Sequence, residues 1–136
     1  MFNKYKKQII KSMAKIKITL KQLADSVEGI KKIQDLPLPI LKSFQITLVV
    51  KKVDPELKTY TEKVQSLFVK HGEEQEGEKK GQYKIKAENI ETYNAEVQEL
   101  NNQEIEIEIP ELKIADFSDC KIEAKYLNGL DWLIKE

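Results

Sequence analysis

Ile46-Thr47-Leu48-Val49-Val50-Lys51-Lys52-Val53-Asp54-Pro55-Glu56-Leu57 can be read two ways, and the choice sets the fold. The start, Phe44 to Val50, has the β-branched content and alternation of a strand. Extending the window reverses that reading. Ile46, Val50, Val53, Leu57, Tyr60, Val64, Leu67 and His71 fall at successive intervals of 4,3,4,3,4,3,4, and the phase passes unbroken through Asp54-Pro55. A true break would rarely preserve it. The spacing therefore predicts one long helix over about 39–70, with Pro39 in the first turn, where proline is tolerated. Pro55 removes one backbone bond from the interior, so a bend is expected near Val53.

On the N-terminal side, Leu36-Pro37-Leu38-Pro39 must end whatever precedes it, because each proline drives the residue before it out of the helical region. Leu23, Val27 and Ile30 mark the inward face of a helix over about 20–33. Thr19-Leu20-Lys21-Gln22 opens it as a capping box. Lys15-Ile16-Lys17-Ile18-Thr19 alternates strictly, as a half-buried strand does. Residues 1–12 form a basic arm with Lys4, Lys6, Lys7 and Lys11, and with Phe2, Tyr5 and Ile9 at helical spacing. The remaining chain, 13–136, reads as one domain.

On the C-terminal side, residues 72–81 hold four glutamates, three glycines and no apolar side chain, and read as a mobile solvated loop. Calcium is the sharper alternative, but the alternating Asp/Asn ligands of an EF-hand are missing. Tyr83-Lys84-Ile85-Lys86 is a second short strand. Ile90, Tyr93, Val97 and Leu100 define a helix over 88–100, and Glu104-Ile105-Glu106-Ile107-Glu108-Ile109 is a third strand of perfect alternation. Past Pro110 the chain is irregular, with an extended stretch at Leu112 to Ile114. A terminal helix is expected from about Ile122, with Leu127, Leu130 and Ile134 on one face and Trp132 as a packing anchor.

The strands differ in charge: lysines face outward on 15–19 and 83–86, glutamates on 104–109. Opposite charges across a strand pair are favourable and like charges are not. The expected fold is therefore α+β, with a small three-stranded sheet in Lys/Glu/Lys order covered by helices. The single helix between the second and third strands suggests a parallel, right-handed unit. The same polarity runs through the whole chain. Residues 1–72 carry 15 lysines and six acids (+9), and residues 73–136 carry eight lysines and 17 acids (−9).

Length and composition narrow the function. A 136-residue chain fits one domain, and no apolar run approaches the roughly 18 residues of a membrane span. Cys120 has no partner for a disulfide, which suits a reducing compartment. All 23 basic residues are lysine; without the guanidinium fork, sequence-specific nucleic-acid recognition is not expected. His71 has no second histidine or cysteine at ligand spacing, so no metal site is expected. Cys120 has no local base and only Lys121 as a basic neighbour, which favours an idle thiol over a nucleophile. No phosphate-binding glycine motif is present. No catalytic, cofactor or metal residue is nominated, and the expectation is a protein that is not an enzyme.

The order of the segments carries a further signal. Met13-Ala14-Lys15-Ile16-Lys17-Ile18 opens the pattern, and Leu36-Pro37-Leu38-Pro39 leads into the long helix that contains Asp54-Pro55-Glu56-Leu57-Lys58. Lys70-His71-Gly72-Glu73 closes into an acidic turn, Glu88-Asn89-Ile90 opens a helix, and the glutamate/isoleucine strand precedes a leucine-rich end. In this order the chain, outside its first twelve residues, resembles a family of small proteins encoded by tailed phages and prophages. The resemblance implies a phage-borne, non-enzymatic protein and supports helix over strand at 44–50. It supplies no functional residues.

Two readings of function follow. One is a structural or assembly protein of the virion, acting through contacts with phage structural proteins, with the charge polarity able to drive self-association. The other is an early protein that binds and inhibits a host defence factor, with Glu104, Glu106 and Glu108 on the face that would occupy a nucleic-acid-binding surface. Both place the protein in the host cytoplasm, the first also in the virion. Nonspecific nucleic-acid binding by the Lys4–Lys11 arm is a third, lesser reading.

Overall fold

In the computed structural model, which describes Lys7 and residues 13–136, strand β1 (Met13–Thr19) leads directly into two short helices, α1 (Leu20–Asp25) and α2 (Val27–Gln34). The basic arm lies outside the described residues apart from Lys7. The Thr19 capping box forms as its sequence implies. The Thr19 hydroxyl accepts from the Gln22 amide at 3.1 Å, and Gln22 Oε1 accepts from the Thr19 amide at 2.9 Å. One helix was expected here, but two form. Ser26, fully buried, donates its hydroxyl to the Leu23 carbonyl at 2.6 Å, and this local bond competes with helix continuation. Leu23, Ile30 and Ile33 are buried while Val27 is only half-buried.

The contested stretch is helical. Helix α3 (Ile40–His71) runs 32 residues, about 48 Å at the standard rise. Every residue of the 4,3 seam is buried or half-buried, from Ile46 and Val53 to Leu67 and His71. Pro55 lies on the exposed side, as does Lys51, whose carbonyl loses its intrahelical donor there and can turn to water. Amphipathic burial over nine turns outweighs both the β propensity of 44–50 and the proline.

The sheet differs from expectation. Strand β4 (Glu104–Pro110) pairs only with β1, antiparallel, with Lys15 opposite Glu108 and Lys17 opposite Glu106. The Lys/Glu rule therefore holds for one pair, but the third strand is elsewhere. Strand β3 (Tyr83–Ile85) instead forms a hairpin with β2 (Gly72–Glu74), placing Lys84 opposite Glu73. The stretch expected to be a mobile loop is the source of that partner. Gly77 and Gly81, at φ of 73° and 92°, turn the chain, and the Gly81 amide donates to Glu74 Oε1 at 3.0 Å. A partner a few residues away costs less chain entropy than one across a helix. The expected parallel unit does not form. Helix α4 (Ile90–Asn101) links β3 to β4 without their pairing, and Ile90 at its start is exposed, not inward.

The end of the chain is not a helix. Short 3₁₀ turns at Ile114–Phe117 and Ala124–Tyr126 are followed by β6 (Ile134–Lys135), which pairs parallel to β5 (Leu112–Lys113). Gly129 has φ +82°, a left-handed conformation that ends helical propagation in the middle of the expected element. Trp132 is buried as expected, together with Leu130 and Leu133. The β1/β4 ribbon lays its isoleucine face on α3, with α1 and α2 packed beside it, and these form one core.

Candidate apolar docking groove

Helix α2 ends where the C-terminal segment folds back over it. Gly29 makes that approach feasible: a Cβ there would run into the Tyr126 carbonyl oxygen and lie 2.9 Å from Leu130. Lys32 Nζ sits 4.8 Å over the Tyr126 ring, a cation–π contact that ties the same two segments. On the other side, the 114–117 turn is held to α3 by Lys42 Nζ, 3.1 Å from Asp116 Oδ2, which also accepts the Lys113 amide at 2.9 Å.

Between these segments lies an open groove of about 490 Å³. Ile33 and Leu36 form one wall, Ile114, Phe117 and Ile122 another, and Leu127, Leu130 and Ile134 the third. Asp131, Lys135 and Glu136 complete its lining. Ile114 is 61% exposed and Leu127 is 41% exposed. A mostly apolar concavity with isolated charged groups is the usual form of a hydrophobic docking surface.

The residues weighed for chemistry lie elsewhere. His71 is buried at the end of α3, its Nε2 2.8 Å from Glu96 Oε2, with the Tyr93 ring edge-on at 6.2 Å. Lys70 Nζ lies 3.3 Å from the other Glu96 oxygen. The hydrogen bond from His71, aided by Lys70 and opposed by partial burial, holds the Glu96 carboxyl below its ordinary value. The His71 carbonyl, at the helix end, accepts from the Asn89 side chain and the Lys86 amide. This cluster fastens the hairpin and α4 to α3. Cys120 is half-buried beside Pro37, Pro39 and Asp119. Among the described residues no group of His, Cys, Asp or Glu could hold a metal ion, and no helix is long and apolar enough to cross a membrane.

The groove is not legible in the sequence because its third wall falls within residues 122–136, which read there as a helix whose apolar face packs inward. The available signal was Gly129, set between Leu127 and Leu130, which breaks that face. No family model, curated protein or solved structure matches the chain.

Proposed function

We propose that this is a phage-encoded, non-enzymatic protein that works by protein–protein contact in virion structure or assembly, in the host cytoplasm and then in the particle. The exposed apolar groove carries the reading. Ile114 and Leu127 remain in water at its mouth, and an apolar segment of a partner would cover them. Full burial of such a side chain contributes roughly 1.5–3 kcal/mol, so covering the part still exposed at Ile114 and Leu127 contributes about half of that at each. The resemblance to small phage proteins supplies the class of partner, a phage structural protein.

Affinity capture of tagged protein from infected cells tests this. Wild type is expected to bring down portal, tail or capsid protein, and Leu127→Asp to lose it while keeping a folded circular-dichroism spectrum. Recovery of a host defence enzyme instead would move the protein to the inhibitor class. Equal capture by wild type and Leu127→Asp would remove the groove from the contact.

A further inference from the structure

Among the described residues the β1/β4 ribbon ends in two unpaired edges of opposite charge. These strands make up their whole sheet among the described residues. The Leu20 amide donates to the Gln103 carbonyl at 2.9 Å, one step beyond the Thr19–Glu104 pair in the same register. In an antiparallel pair, residues that exchange such bonds recur at every second position. Positions 14, 16 and 18 therefore turn their amides toward β4, and Lys15 and Lys17 turn theirs outward. Thr19 fits this phase, since its amide meets its own Gln22 side chain rather than the opposite strand. By the same count Glu104, Glu106 and Glu108 present the outward backbone of β4. All five are exposed, and among the described residues no hydrogen bond reaches their backbone from beyond the ribbon.

We propose that the protein self-associates head to tail, with β4 of one copy adding to β1 of the next. Charge selects this pairing. Joining two β1 edges would set lysine against lysine, and joining two β4 edges glutamate against glutamate, both unfavourable. Only β4 against β1 continues the Lys/Glu match already seen within the chain at 15/108 and 17/106. Charges on an edge usually prevent edge pairing; here their signs bar like edges and admit unlike ones. Such a contact is heterologous, so it propagates into a filament or closes into a ring. It uses neither wall nor mouth of the groove and stands apart from the docking reading.

Sedimentation equilibrium of the full chain at about 50 and about 500 mM salt, where screening differs severalfold, tests it. The expected mass rises with concentration above twice the 15.8 kDa monomer at low salt and returns to the monomer at high salt. A monomer under every condition overturns the proposal. The charge-swapped variant K15E/K17E/E106K/E108K keeps the internal match, so it should associate with itself but stay out of wild-type assemblies. Mixed assemblies would overturn the edge assignment. Lys17→Pro removes an outward amide without touching the ladder and should leave a folded monomer. Persistence of the assembly in that folded variant would also overturn the assignment.

Discussion

At the C-terminal end of α3, His71 shows how a residue suited to chemistry becomes a fastener. Its imidazole donates to Glu96, and its carbonyl receives the Asn89 side chain and the Lys86 amide, so one residue ties the end of α3 to α4 and to the chain leaving the hairpin. The Glu96 carboxyl sits below its ordinary value because the folded chain gives its charged form hydrogen bonds, first from His71 and then from Lys70. Stability from a lowered carboxyl is complete above the ordinary value and is lost as pH falls through the lowered one. Wild type should therefore lose melting temperature on acidification from about pH 6 to about pH 3 more steeply than Glu96→Gln. The variant should be the less stable protein at pH 6, and the gap should narrow at pH 3. Thermal melts at the two pH values check this; parallel pH dependence would show that Glu96 contributes no linked stability.

At the scale of the element, α3 is where sequence pattern and local preference disagree most. Pro55 lies in its interior, on the solvent side. Pro55→Ala restores the amide that the Lys51 carbonyl lacks and should stabilise the chain by up to about 3 kcal/mol, read as a higher denaturation midpoint. An unchanged midpoint would mean that the helix has already relaxed around the proline. The same helix shows what the sequence makes legible. A seam of eight positions in 4,3 spacing outvotes seven residues of strand propensity, because tertiary burial sums along a helix while propensity is local. The Lys/Glu alternation likewise identifies β1 as a partner of β4. Hairpin β2/β3 was hidden, since Gly72-Glu73-Glu74 has no apolar alternation and is strand only through Lys84 and its neighbours. The break at Ser26 and the left-handed Gly129 depend on single backbone choices that periodicity averages away. The groove was hidden with the latter.

For the whole molecule, the +9 and −9 halves are not two separated poles. The ribbon sets basic β1 against acidic β4 on one face, so part of the polarity is absorbed within the fold. The two ribbon edges are the proposed contact between copies, and the apolar groove is the proposed contact with another protein. The proposed seat of the partner is the groove. Its most direct measurement places a photo-crosslinking amino acid at Leu127, on the groove wall, and separately at Glu62, on the exposed side of α3, in protein expressed during infection. A discrete adduct with a phage structural protein from position 127, and none from position 62, is the predicted result. No adduct at 127, or the same adducts from both positions, would mean that the groove does not hold the partner.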